Sequence, residues 1–167
     1  MGDTVSFMLK SATAQILPAM ASTLRKGRES AIDRSVAEDV ILSARLAPDM
    51  LPLLNQYQLA ADTAARGAAR LAGHDMPSFP DEETSVDELL ERLDKTNAYV
   101  QGFEDADLDA NERTVLEIPL GPMTVHWEGR QYLSTFVLPN LHFHATIAFA
   151  LLRHQGVEIG KRDFLMA

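Results

Sequence analysis

The last long helical pattern in the chain is residues 129–154, GRQYLSTFVLPNLHFHATIAFALLRH. Its apolar side chains recur at the spacing that puts them on one face of an α-helix. The residues predicted for this face are Tyr132, Phe136, Phe143, Ile147, Ala150 and Leu151. Gly156 follows the pattern closely and is typical of a helix end. The segment therefore predicts a long helix whose apolar face must be covered by other helices.

Other helical patterns precede this segment. The predicted helices are residues 4–26, 36–43, 48–73 and 86–102. Pro18 lies inside the first and predicts a kink or an unpaired carbonyl there. Ser35 followed by Glu38, and Ser85 followed by Glu88, have the spacing of a capping box, which predicts that helices begin at both places.

A different pattern occupies residues 113–128, where β-favouring side chains alternate on either side of Gly121-Pro122. We predict a short β-hairpin there. With no internal repeat and no linker-like stretch, residues 1–167 read as one domain. The predicted fold class is therefore all-α, a four-helix bundle with a small β-hairpin before the last long helix.

Composition narrows the classes of function. The chain has 167 residues and no cysteine, which excludes disulfides, thiolate metal sites and cysteine nucleophiles. Its net charge is −9 and no dense cluster of Lys or Arg appears, so we expect no nucleic-acid partner. No apolar run has the usual length of a membrane span, and the first four residues lack the features of a signal peptide. We therefore expect a cytoplasmic protein with no membrane partner.

Polar side chains interrupt the apolar faces of two predicted helices. On the second long helix the predicted apolar residues are Ala47, Leu51, Leu54, Ala65, Ala69 and Ala72. Gln58 and Asp62 fall within that face, and Arg66 follows Asp62 by one turn. On the last helix Asn140 and His144 are one turn apart. Because unpaired buried polar groups cost about 1–3 kcal/mol each, we expect these residues to meet one another inside the bundle.

Two interpretations of this polar set remain open. In the first, it forms a pocket for a small polar ligand between the second and last long helices. His144 would then be the candidate acid or base, Asp62 would orient it or bind a cation, and Gln58, Asn140 and Arg66 would hold the ligand. In the second, the set is a buried hydrogen-bond network in a non-catalytic dimeric module. The residues leave open whether the protein is an enzyme.

Four segments resemble a known bacterial family, domain of unknown function 1993. They are residues 44–50 (ARLAPDM), 58–62 (QLAAD), 138–144 (LPNLHFH) and 152–165 (LRHQGVEIGKRDFL). That family is similar to the DinB/YfiT-like superfamily of four-helix bundles, so the resemblance implies that fold and a tendency to form dimers. It supplies no activity for this chain.

Many members of the superfamily bind a divalent metal through one histidine of the second helix and a His-x-x-x-His of the last. Here the last helix has Asn140 in place of one histidine, and the second helix has Gln58 and Asp62 but no histidine. A single imidazole suits zinc or nickel poorly, so we predict no bound metal cofactor. We also predict a homodimer, formed through a patch of Leu138, Leu141 and Leu152 on the outer side of the last helix.

Overall fold

The computed structural model describes residues 4–166. Its helices are α1 (Thr4–Asp33), α2 (Glu38–Leu42), α3 (Leu53–Ala72), α4 (Val86–Gln101), α5 (Asp105–Ala110), α6 (Gly129–Tyr132), α7 (Leu138–His154) and α8 (Lys161–Leu165). A π-helical segment, Leu133–Val137, joins α6 to α7 so that Gly129–His154 is one continuous helix. The absence of a signal peptide was predicted partly from residues 1–3, which lie outside the described residues.

Four long helices make the bundle, as the sequence predicts. They are α1, α3, α4 and the continuous helix Gly129–His154; α3 packs between α4 and α7, and α1 packs against the same two. Small residues let these helices approach closely: a Cβ added to Gly67 of α3 would lie 2.8 Å from Val137 Cγ1. The predicted all-α bundle is confirmed.

The predicted hairpin is also confirmed. Strands β1 (Val115–Leu120) and β2 (Met123–Glu128) pair antiparallel, with Ile118 opposite Val125. Gly121 has φ 59°, a left-handed conformation that glycine adopts without strain in a two-residue turn. Because Ile118 is buried in the bundle core, the hairpin packs on the helices through this side chain.

Several predicted helix limits are wrong. The first helix continues past Gly27 to Asp33, because Gly27 packs directly on the Leu152 side chain rather than ending the helix. The second long helix begins at Leu53 instead of residue 48, and Leu51, predicted on its apolar face, is exposed before it. Ser85 and Glu88 do form a capping box. Ser35 does not cap, since Ala37 is the N-cap of α2.

The predicted apolar face of the last helix is confirmed at Tyr132 and Leu151, which are buried, but it is wrong at Phe143. Phe143, predicted to be buried, is 55% exposed, whereas Leu141, predicted on the outer patch, is 0% exposed. Leu152 is buried as well, and Leu138 packs against the core. The π-helical segment explains the difference, since its i→i+5 bonding delays the phase of the following residues by roughly one position. The three leucines therefore form no exposed patch for a dimer.

The segment Gly129–His154 is long and apolar enough, by length and composition, to cross a membrane. A single helix of this kind is weak evidence, because core helices of soluble proteins pass the same test. One face of this helix is buried against α1 and α3.

Candidate functional site

The polar residues of α3 form two sets of contacts. On the side next to α4, Gln58 Nε2 donates to Glu83 Oε2 at 2.9 Å, and Gln58 Oε1 accepts from Asn55 Nδ2 at 2.8 Å. One turn further, Asp62 Oδ1 accepts from Arg92 Nη2 at 2.7 Å. Gln58 and Asp62 therefore bind partners on α4 and the segment before it.

Arg92 of α4 organises this side of the bundle. Arg92 is 4% exposed. Its guanidinium forms ion pairs with Asp62, Asp81 and Glu83 at 2.7, 2.9 and 2.9 Å. It also donates to the carbonyl of Pro80. We call these four charged residues the Arg92 cluster. Because the arginine holds residues 80–83 against both α3 and α4, the cluster fixes the connection between the two helices.

Arg92 was not among the site residues predicted from the sequence. Its position carried a signal, since Arg92 lies three residues after Leu89 and four before Thr96, both of which are buried on the inner face of α4. An arginine on a buried helix face needs acidic partners. The acidic residues just before the helix supply them.

Two partly buried carboxylates of the Arg92 cluster, Asp62 and Glu83, respond differently to their surroundings. Burial raises the pKa of Asp62, and the positive charges of Arg92 and Arg66 offset only part of that effect. Burial also acts to raise the pKa of Glu83, but the hydrogen bonds from Gln58 and Arg92 outweigh it and hold the pKa below its usual value. Glu83 is thus the more firmly ionised partner of the arginine.

Asn140 and His144 of α7 lie on the other side of α3. Asn140 Nδ2 donates to Thr63 Oγ1 at 2.8 Å, and His144 Nδ1 is 2.9 Å from Gln56 Oε1. Gln56 Nε2 donates to the Leu51 carbonyl, which orients the amide oxygen towards the histidine. His144 therefore carries its proton on Nδ1, and Nε2 is left as an acceptor.

One pocket, of about 280 Å³, lies beside these contacts; we call it the α3 pocket. Its lining residues are Leu59, Asp62, Thr63, Arg66, Arg70, Met76, Ile118, Pro119, Tyr132, Phe136 and Asn140. Of the five residues singled out in the sequence, Asp62, Arg66 and Asn140 line it. Gln58 and His144 do not, because their side chains are held by Glu83 and Gln56.

Two guanidinium groups dominate the electrostatics of the α3 pocket. Arg66 Nη2 is 3.5 Å from Asp62 Oδ2, but Asp62 makes its shorter ion pair with Arg92. Arg70 lies with its Cζ atom 5.7 Å from the centre of the Tyr132 ring. Within residues 4–166 no Asp or Glu forms an ion pair with Arg70. A half-buried arginine without an acidic partner, lining a pocket, is typical of an anion site.

The same residues do not fit a divalent metal. In the described part of the chain, no three His, Cys, Asp or Glu side chains form a group that would hold a metal ion. Asp62, Asn140 and His144 instead bind Arg92, Thr63 and Gln56. His142 is exposed and contacts the Leu138 carbonyl of its own helix.

Burial lowers the pKa of His144, which sets a pH dependence of stability. The unfolded chain takes up a proton near the ordinary histidine pKa of about 6.5, whereas the folded chain resists it. The contribution of His144 is therefore complete above that pH and is lost as the pH falls below it. We expect the stability advantage of the parent protein over His144→Asn to shrink between about pH 7.5 and 5.5.

Urea unfolding of both proteins across this pH range measures the effect. His142→Asn is the matched control, because it removes an exposed imidazole from the same helix. If the stability advantage of the parent protein over His144→Asn stays constant or grows towards low pH, His144 is not held neutral by burial.

Comparison with known proteins identifies relatives of the chain. The model of a family described as Domain of unknown function (DUF1993) matches residues 8–165. The crystal structure of a DinB family member protein from Shewanella denitrificans is similar over 100% of this chain and 97% of that chain, with a TM-score of 0.90 and 34% sequence identity. No curated protein matches the chain.

Proposed function

We propose a function for a chain that belongs to the family described as domain of unknown function (DUF1993) and has a DinB-like fold: it binds a small anionic molecule in the α3 pocket. The observation that carries the proposal is the pair Arg66 and Arg70. They are one helical turn apart and line the same pocket, and Arg70 has no acidic partner among residues 4–166.

The electrostatic setting supports an anion. The chain as a whole is acidic, with a net charge of −9, so an anion gains no general attraction to its surface. Positive charge concentrated at one pocket is then a specific feature. Tyr132 contributes a ring that orients Arg70, and Asn140 contributes an amide held by Thr63. Hydrogen bonds from guanidinium and amide groups are the usual means of binding carboxylate or phosphate oxygens.

The roles of the other residues follow from their partners. Asp62 orients Arg66 and links the pocket to the Arg92 cluster. Gln58 supports the pocket indirectly by holding Glu83. His144, the candidate acid or base of the sequence analysis, lies outside the lining of the α3 pocket and is held by Gln56, so it has no role in binding the ligand there. A reaction after binding would be detected as conversion of the bound ligand to a product.

Arg70→Gln should weaken anion binding by about 10–100-fold, since a hydrogen bond to a charged group contributes about 1.5–3 kcal/mol. NMR titration with acetate, inorganic phosphate and phenylacetate measures this through the amide resonances of the pocket residues. Arg25→Gln, which removes an exposed arginine of α1 away from the pocket, is the matched control and should bind like the parent protein.

The proposal fails if none of the three anions shifts the pocket resonances of the parent protein. It also fails if Arg70→Gln and Arg25→Gln have the same affinity as the parent for every anion. Thermal unfolding of both variants checks that the fold is retained.

A second candidate is a dimeric, non-catalytic module. It is favoured by the 55% exposure of Phe143 beside Pro139, which is also exposed, on the outer face of α7. Exposed aromatic residues of this kind are common at interfaces. Light scattering of the parent protein and of Phe143→Asp separates a homodimer from a monomer. We place both candidates in a bacterial cytoplasm, without a nucleic-acid or membrane partner; the net charge of −9 supports the absence of nucleic acid.

A further inference from the structure

We infer that the ligand of the α3 pocket is an amphipathic monocarboxylate, a molecule with one carboxylate and a compact apolar group. The inference rests on the proposed function and names its ligand class. It comes from the division of the pocket lining into a cationic side and an apolar side, and from the size of the pocket.

The cationic side belongs to α3. Asp62, Arg66 and Arg70 follow one another at four-residue intervals, so they form one row along the helix. Arg70 is the member of the row furthest from Asp62, about 12 Å along the axis. The planar guanidinium groups of Arg66 and Arg70 match the two oxygens of a carboxylate. The anion is therefore held at the Arg66–Arg70 end of the row.

The charge of the row favours a monoanion. Two guanidinium groups and one carboxylate line the pocket, which leaves one positive charge among these three groups. Asp62 lies next to Arg66 in the row and repels additional negative charge on the ligand. A dianion such as phosphate near neutral pH is expected to bind more weakly than a carboxylate of the same size.

The apolar side comes from other parts of the chain. The hairpin supplies Ile118 and Pro119, the segment after α3 supplies Met76, and the continuous helix Gly129–His154 supplies Phe136. Leu59 of α3 completes this surface. Apolar walls with a few oriented polar groups are the usual composition of small-molecule sites. Acetate would leave these walls in water, so an apolar group on the ligand adds affinity.

The pocket volume limits the size of that group. About 280 Å³ is near the lower end of the usual range for ligand pockets, roughly 300–1,000 Å³. A single aromatic ring or a short branched aliphatic chain is of suitable size. Phenylacetate is therefore a suitable probe.

Titrations of the full chain with four probes test the inference: phenylacetate, phenylacetamide, acetate and inorganic phosphate. Phenylacetamide keeps the ring and removes the charge, whereas acetate keeps the charge and removes the ring. We expect phenylacetate to bind at least about tenfold more tightly than each of the other three, since a charged hydrogen bond or a buried ring contributes that much.

A pair of methionine variants tests the apolar wall. Met76, which lines the pocket, is 42% exposed, and Met123 on the hairpin is 61% exposed and outside the lining, so both tolerate a polar side chain. Met76→Gln should weaken phenylacetate binding by about 3–10-fold, and by a larger factor than it weakens acetate binding. Met123→Gln should change neither affinity.

The outcomes separate the two claims. Equal binding of acetate, phosphate and phenylacetate at the pocket overturns the inferred ligand class and leaves the anion site standing. Binding of phenylacetamide as tight as that of phenylacetate overturns the inference and the anion site together. Failure of all four probes to shift the pocket resonances overturns both as well. The expected ranking, with the Met76→Gln effect, supports both.

Discussion

Replacing Arg92 with Met should lower the free energy of unfolding by about 3–5 kcal/mol, the cost expected when one partner of a buried ion pair is removed. The substitution keeps an unbranched side chain of similar length, so the main change is loss of charge and hydrogen bonds. It leaves Asp62 and Glu83 without the guanidinium that neutralises them. It also releases the carbonyl of Pro80. Urea unfolding followed by circular dichroism measures the change.

Two further variants identify the cause. Lys95→Met removes an exposed positive charge from the same helix and should change stability by less than about 0.5 kcal/mol. In a background carrying Asp62→Asn and Glu83→Gln, Arg92→Met should cost only about 1–2 kcal/mol, because no buried charge is then left unpaired. A loss below about 1 kcal/mol in the parent background would show that the Arg92 cluster does not hold α3, α4 and their connection together.

Leu141→Ala should destabilise the protein by about 2–5 kcal/mol, whereas Phe143→Ala should change its stability by less than about 1 kcal/mol. Leu141 is 0% exposed, so its truncation leaves a cavity in the core. Phe143 is mostly in solvent. The two residues are two positions apart on the same helix, so the comparison tests the phase of α7 after the π-helical segment.

Thermal unfolding of the two variants under the same conditions makes this measurement. Leu152→Ala serves as a second buried position, about three turns further along the same face of the helix, and should resemble Leu141→Ala. A larger loss for Phe143→Ala than for Leu141→Ala would contradict the observed phase and restore the one predicted from an unbroken α-helix.

Local signals in the sequence were sufficient for most of the fold. Ser85 and Glu88 cap α4 as their spacing predicts, and Gly121 makes the hairpin turn. Such features depend on residues close together in the chain, which pattern analysis detects directly. The predicted end of the first helix at residue 26 is wrong, because Gly27 lies inside α1. A side chain at position 27 would collide with the Leu152 side chain. Leu152 is distant in sequence, so this contact can be found only from the packing of the helices.

The π-helical segment was the main feature beyond reach of the sequence. Nothing in Leu133–Val137 distinguishes it from α-helix by composition. Its effect extends to the later residues of the helix, since a change of one position in phase turns a side chain by about 100° around the helix axis. Phe143 and Leu141 exchanged places for this reason.

For the candidate site, the sequence identified the right helices but grouped the residues incompletely. Helical phase placed Gln58 and Asp62 on α3, and Asn140 and His144 on α7, as interruptions of apolar faces. It did not reveal that Glu83 and Gln56 hold Gln58 and His144, since those contacts depend on rotamers and on the loop before α4. Arg70, one turn after Arg66, completes the pocket and follows the same i,i+4 rule.

The most direct test of the anion site is a crystal of the protein soaked with 4-bromophenylacetate, with data collected at the bromine absorption edge. The account predicts one strong anomalous peak inside the α3 pocket, among Met76, Ile118 and Phe136, with the carboxylate density beside Arg66 and Arg70. A peak only at other surfaces, or an orientation with the carboxylate turned away from both arginines, would contradict it.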